Sequence, residues 1–248
     1  MEKNAIKEKV RQRYGRIALA GSSDCCSPEC CSVDSPTKAA TVIGYDAKEL
    51  ETVPQASIIG AGCGAPVGFA NIQKGETVVD LGSGAGIDVF LSANKVGREG
   101  KVIGIDMTDE MLEKARKNAK DFGYANVEFR KGDIESGIPV EDNSADLVIS
   151  NCVINLTVDK TSAFKEVYRI LRSGGRMVVS DLVADRKKTD AIDAEKWSSC
   201  IDGALAKEDY LAAISMAGFN NINVIEERMF VNEQNSRKIS SVVIKALK

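Results

Sequence analysis

The feature that most constrains this chain is the alternation that begins at residue 76, where short β-branched runs give way repeatedly to stretches with helical apolar spacing. Thr77 to Leu81 reads as a strand, Ile87 to Val96 as a helix, Val102 to Asp106 as a strand, and Asp109 to Phe122 as a helix with acidic residues in its first turn. Val127 to Lys131 and Leu147 to Ser150 read as further strands. Ala163 to Leu171 reads as a helix stopped by Gly174 and Gly175, and Met177 to Ser180 as another strand. Such alternation buries both faces of a sheet when the strands run parallel with helices on either side. The expected fold is therefore α/β, a doubly wound and mostly parallel sheet. Helical patterns at about 190 to 205 and 207 to 217 come next, and the runs Ile222 to Ile225 and Ser240 to Ile244 have no helix between them. They predict an antiparallel strand pair added to the parallel sheet.

Ahead of the alternation, Ile6, Val10, Tyr14 and Ile17 lie at near-helical spacing and predict an amphipathic helix over residues 3 to 19. Residues 21 to 41 combine Gly21, Ser22, Ser23, Pro28, Ser32, Ser35 and Pro36 with four cysteines, a composition that buries no core and predicts a mobile arm. Asp46 followed by Glu49 resembles a capping box for a short helix ending near Pro54, and the segment to Gly68 reads as irregular. Three stretches result: an N-terminal helix with its cysteine-rich arm (1–42), a core with the Cys63 segment ahead of it (43–183), and C-terminal helices with the last two strands (184–248).

Composition narrows the chemistry. The 33 basic and 36 acidic residues leave a net charge of −3, which disfavours a nucleic-acid partner. No window is apolar enough to span a membrane, and the polar N-terminus carries no apolar signal core, so a cytoplasmic location is expected. The chain has seven cysteines and no histidine, which removes imidazole-based nucleophile activation and leaves thiolate chemistry. An odd cysteine number points to reduced, reactive thiols rather than a disulfide framework.

The first strand runs into Asp80-Leu-Gly-Ser-Gly-Ala-Gly86, where Gly82, Gly84 and Gly86 admit positive φ and close approach of a ligand to the backbone around Ser83. A dinucleotide fingerprint needs its third glycine one residue later, where Ile87 stands. The pattern instead resembles motif I of class I S-adenosylmethionine-dependent methyltransferases, and with it the sheet is expected to be Rossmann-like. Asp106 ends the next strand, where a carboxylate can accept from two ribose hydroxyls, and Met107 beside it can lie on an adenine face. Gly132, Asp133 and Ile134 follow the third strand and suit the adenine edge. Asn151 and Cys152 follow the fourth, at the sheet edge where the transferable methyl group is expected.

Cys63 lies in Gly60-Ala-Gly-Cys-Gly64, and Cys200 lies on the helix expected near the C-terminus. Each cysteine taken alone also fits a small buried hydrophobe. Cys25, Cys26, Cys30 and Cys31 place four thiols in seven residues, which suits collection of a thiophilic ion, a zinc or iron–sulfur site, or a dispensable tail.

The runs Asp80 to Gly86, Ile105 to Arg116 and Ser150-Asn-Cys-Val-Ile-Asn-Leu156, with Gly-Cys-Gly ahead of them, resemble the arsenite S-adenosylmethionine methyltransferases over roughly residues 55 to 220. The resemblance implies that Cys63, Cys152 and Cys200 bind trivalent arsenic, presented as arsenite or a thiol complex. It also implies that two cysteines close to a disulfide when methylated arsenic is reduced, so that a thiol reductant of thioredoxin or glutathione type is needed for turnover. The arsenic lone pair carries no proton, so its attack on a sulfonium methyl needs no general base, in keeping with a histidine-free chain. The competing readings are a methyltransferase acting on carbon or oxygen of a small metabolite, a non-catalytic thiol-based metalloid sensor, and a nicotinamide oxidoreductase disfavoured by Ile87.

Overall fold

In the computed structural model, residues 3–20, 35–188, 197, 198, 200–234 and 237–248 are described. The helices are α1 (Lys3–Ala20), α2 (Pro36–Val42), α3 (Ala47–Glu51), α4 (Pro66–Phe69), α5 (Ile87–Val96), α6 (Asp109–Asp121), α7 (Lys160–Ile170) and α8 (Lys207–Met216). The strands are β1 (Thr77–Leu81), β2 (Lys101–Asp106), β3 (Val127–Lys131), β4 (Ala145–Asn151), β5 (Leu171–Ala184), β6 (Asn220–Gln234) and β7 (Arg237–Leu247), joined in one sheet in the order β3-β2-β1-β4-β5-β7-β6. β1 to β5 pair in parallel, whereas β7 pairs antiparallel with both β5 and β6. The expected doubly wound sheet with its antiparallel C-terminal pair is what forms.

This topology fixes where a ligand can sit. From β1 the chain winds outward to β2 and β3, then returns to place β4 on the other side of β1. The crevice opens where the winding reverses, beyond the carboxyl ends of β1 and β4. Leu81 pairs with Ser150 and Asn151 with Ser180, so the glycine turn after β1, Cys152 after β4 and Asp181 on β5 all lie at that edge. One face of the sheet packs Phe90, Leu112 and the α2–α3 segment with Leu50, and the other packs Phe164, Tyr210 and Ile214 from α7 and α8. Among the described residues no helix is long and apolar enough to cross a membrane.

Four elements depart from the sequence reading. Residues 36–42, expected within the mobile arm, form α2: Ser35 accepts from the Lys38 N–H as N-cap, Pro36 sits in the first turn, and Ala39 and Ala40 are buried. Serine and proline, read as turn residues, here serve as cap and first helical residue. Gly174 and Gly175 do not stop a helix but lie within β5, where Ala145 pairs with Leu171 and Leu147 with Arg176. The intervening residues bulge out, and Gly174 takes φ +77° there. Cys200 is not helical; residues 200–203 are turns, with Cys200 at φ +69°. The turn brings Gly203 so near Asn155 that a Cβ would stand 2.0 Å from its carbonyl oxygen. Finally, β6 and β7 outrun their expected lengths because register shifts interrupt the alternation by which strands are recognised.

α1 keeps the expected stripe. Ile6, Val10 and Ile17 are buried, each burial removing apolar surface worth about 1.5–3 kcal/mol. Ile17 packs with Ile59, Ala85 and Met111, and Ile6 and Val10 pack with Trp197. The helix is thus laid across the open end of the crevice.

Candidate active site

The turn after β1 builds a cradle by backbone conformation. Gly82, Gly84 and Gly86 have φ of +65°, +52° and +100°. A Cβ on Gly82 would stand 2.3 Å from a Val153 methyl group, so side-chain-free backbone is required here. Asp106 is fixed at the rim by the N–H groups of Gly84 (2.9 Å) and Thr108 (2.8 Å), which donate to its two carboxylate oxygens. One cavity is lined by Asp80, Gly82, Ser83, Gly84, Asp106, Met107, Gly132, Asp133, Ile134, Asn151 and Cys152. Of the cofactor-binding set expected from sequence, Gly86 alone is not part of that lining; it caps α5 and packs against Phe90.

The cavity is acidic at its core. Asp80, Asp88 and Asp106 line it, and burial raises the pKa of all three, that of Asp88 to about 7. No ion pair among the described residues involves them. Tyr45 donates to Asp88 (2.8 Å), and Asn151 Nδ2 donates to Tyr45 Oη (2.9 Å) and to the Gly64 carbonyl (2.6 Å). Buried carboxylates without a cation favour a positively charged ligand, and S-adenosylmethionine brings a sulfonium and an ammonium. The cradle and donor set therefore fit that cofactor. Asp133 is differently placed: burial would raise its pKa, but hydrogen bonds from Lys7 of α1 (2.5 Å), Glu135 N–H and Ser136 outweigh this and hold it below its usual value. Lys7, Val10, Tyr14, Tyr45 and Asp88 were missed as site residues. The apolar stripe of α1 was visible, but not what it covers.

Beyond Asn151 the cavity meets sulfur. Cys152 follows β4 with φ +59°, its N–H bonded to the Ser180 carbonyl (2.8 Å). Cys63 is brought alongside by the Asn151 side chain, whose oxygen accepts from the Cys63 N–H (3.2 Å), while the Cys63 carbonyl accepts from Ser241 (2.6 Å) and Arg228 (2.8 Å). The glycines that flank it have a steric cause: a Cβ at 62 would lie 2.9 Å from Asn151 Nδ2, and one at 64 would lie 2.1 Å from Ser180 Oγ. Cys200 shares this buried cluster, and its thiol donates to the Cys152 carbonyl (3.1 Å).

The closest set is not three sulfurs. The Sγ atoms of Cys63 and Cys152 and a carboxylate oxygen of Asp181 lie within 4.8 Å of one another, a group that does not include Cys200. Asp181, fully buried, accepts from the N–H groups of Leu182 (2.9 Å) and Asn155 (3.0 Å) and from Tyr210 Oη (3.0 Å); burial raises its pKa to about 6. Lys160 is buried beneath, bound to the carbonyls of Asn155 and Thr157 and lying over the Trp197 ring, with its pKa lowered by burial to about 8. Asp181 was missed, although a signal existed: it directly follows the strand read at Met177 to Ser180, and so reaches the same sheet edge as Cys152. Cys25, Cys26, Cys30 and Cys31 lie outside the described residues.

Sheet order, glycine cradle and strand-end acids define a class I methyltransferase, and a family model described as a methyltransferase domain matches residues 72–226. The arsenite methyltransferase of Halobacterium salinarum is 42% identical over 88% of this chain and 58% of its own length. The human arsenite methyltransferase is 32% identical over 86% of this chain and 58% of its own. The crystal structure of an arsenic(III) S-adenosylmethionine methyltransferase from Chlamydomonas reinhardtii is 32% identical, covers 88% of this chain and 75% of that one, and superposes with a TM-score of 0.68. The chain belongs to the arsenite methyltransferase family, and it spans about three fifths of the length of the curated relatives it matches.

Proposed function

We propose that this protein transfers a methyl group from S-adenosylmethionine to trivalent arsenic held by cysteine thiolates, as a step of arsenic detoxification. One observation carries the reading: Cys152 belongs both to the lining of the acidic cavity and to the buried thiol cluster. When bound, S-adenosylmethionine supplies an electrophilic sulfonium methyl group. Asp106 would hold the ribose hydroxyls, Met107 and Ile134 the adenine, and Asp80 and Asp88 the cationic end. Cys63, Cys152 and Cys200 would hold the arsenic, which takes three thiolates as a pyramid and keeps its lone pair. The chain then acts by placing that lone pair in line with the methyl group, and no side chain need remove a proton. With methyl transfer, arsenic becomes formally pentavalent. Two thiols closing to a disulfide would return it to the trivalent state, and a reductant of thioredoxin or glutathione type would reopen the pair.

The test is a partition experiment. S-adenosylmethionine labelled in its methyl group is offered with arsenite and, separately, with small phenolic and enolic acceptors. The label is expected in arsenic species alone. Label in the organic acceptors, with arsenite ignored, would overturn the reading in favour of a carbon or oxygen methyltransferase.

A further inference from the structure

One carboxylate oxygen of the acidic cavity has no donor among the described residues. We propose that Tyr45 is a positioning residue for the methyl donor: its hydroxyl steers the Asp88 carboxylate so that the free oxygen of that group receives the ammonium of the cofactor's methionine end. The inference rests on the proposed placement of that cationic end at Asp80 and Asp88, and adds the residue that makes Asp88 fit to hold it.

Three observations carry it. Asp88 is 3% exposed, its Oδ2 accepts from Tyr45 at 2.8 Å, and its Oδ1 is the buried oxygen without a partner. Such an acceptor is costly in a finished core, but Asp88 lines the cavity, where a ligand's N–H group can meet it. The direction of the Tyr45 proton is also fixed. The Asn151 carbonyl oxygen accepts from the Cys63 N–H (3.2 Å), so the amide nitrogen is the side that donates to the Gly64 carbonyl (2.6 Å) and to Tyr45 Oη (2.9 Å). With its oxygen accepting from Asn151, Tyr45 sends its one phenolic proton to Asp88. Finally, burial, reinforced by the neighbouring Asp88 charge, raises the Tyr45 pKa well above its ordinary value, so that proton stays in place across the working range.

The consequence is electrostatic. Burial raises the Asp88 pKa to about 7, and the bond from Tyr45 pulls against that rise. Without the hydroxyl, the carboxyl would stay neutral at a pH where the unaltered chain carries a charge. A neutral carboxyl gives the ammonium no counter-charge. Because Asn151 is itself held by the backbone at Cys63 and Gly64, Tyr45 takes its orientation from the segment that carries a proposed arsenic ligand.

The test is S-adenosylmethionine binding by calorimetry from about pH 6 to about pH 9, in the unaltered chain, Tyr45→Phe, Asp88→Asn and the double variant. Phenylalanine keeps the ring in the core and removes only the hydroxyl. In the unaltered chain affinity is expected to rise a few-fold around pH 7. In Tyr45→Phe that rise is expected to move up by about one pH unit, leaving affinity about twofold weaker near about pH 7.5. The other titratable groups lining the cavity, among the described residues, are Asp80, Asp106 and Cys152 at the strand ends, Tyr14 and Lys7 on α1, and Asp133 and Glu135, which pair with Lys7. All are common to the two chains, as is the cofactor's amino group. In the Asp88→Asn background, Tyr45→Phe is expected to leave the profile where it is. A loss of equal size at every pH, no loss at all, or the same shift without Asp88 overturns the proposal. Should Tyr45→Phe fail to melt cooperatively, Tyr45→Leu takes its place with the same expectations. If Asp88→Asn binds S-adenosylmethionine as the unaltered chain does at every pH, the placement of the cationic end fails, and the inference with it.

Discussion

The cradle around Gly82 and the thiol cluster around Cys152 adjoin one another, yet they are built in opposite ways. The cradle comes from one uninterrupted stretch whose work is done by backbone: positive φ at three glycines and the Gly84 N–H that anchors Asp106. The cluster comes from four segments, at residues 63, 152, 181 and 200, held in register by Asn151, Ser180 and the β4–β5 pairing. A backbone site tolerates change where no side chain is added. A site assembled from separate segments depends on every contact that positions its members.

Breaking that division should give separable losses. The largest effect is expected from Cys152→Ser, which removes the thiol at the junction: methylation of arsenite should fall by at least about a hundredfold, the scale for losing a group that holds the reactant in line. S-adenosylhomocysteine binding by calorimetry should stay within about twofold. Gly82→Ala makes the reverse cut. Its Cβ would stand 2.3 Å from a Val153 methyl group in a backbone at φ +65°, so cofactor affinity should fall by about tenfold or more while arsenite dialysis is unchanged. Partial recovery in Gly82→Ala combined with Val153→Ala would show that the contact, and not only the dihedral, is responsible.

A smaller effect sharpens the electrostatics of the cradle. Burial raises the pKa of Asp88 to about 7, so below that value the carboxyl is neutral and above it a negative charge faces the cavity. A cationic cofactor should therefore bind a few-fold more tightly as pH rises from about 6 to about 8, and Asp88→Asn should flatten the profile. The sign for stability is opposite. With its folded pKa raised, Asp88 contributes stability that is complete below its ordinary range and lost as pH rises through about 7, so the ligand-free chain should lose melting temperature over that interval. The smallest effect concerns α1. Lys7 pairs with Asp133 at 2.5 Å and Glu135 at 3.0 Å but is partly exposed, and pairs of that kind are worth about 1 kcal/mol or less. Lys7→Met should speed S-adenosylhomocysteine release only a few-fold in stopped flow.

The same division explains what could be read from sequence. β1, α5 and β3 begin and end where the pattern places them, because each is written in consecutive residues, and so is the glycine turn. Asp80, Asp106, Met107 and Cys152 reach one cavity because strand ends of a doubly wound sheet must converge. Tyr45 and Asp88 were invisible for a physical reason: their roles arise from burial and from contacts with each other and with Asn151, many residues away. Cys200 was placed on a helix because helical spacing was the only local signal, while its turn is set by the approach of Gly203 to Asn155. Local propensity yields to such contacts where a site is assembled.

The central claim is that arsenic in the thiol cluster receives the methyl group from the adjoining cavity. Its most direct test is to incubate the purified chain with arsenite, S-adenosylmethionine and a thiol reductant, and to separate arsenic species over time by chromatography with element-specific detection. Methylated arsenic accumulating over many turnovers is the predicted result. Arsenic that is bound but never methylated, while S-adenosylmethionine still occupies the cavity, would contradict the account and leave a metalloid-binding sensor in its place.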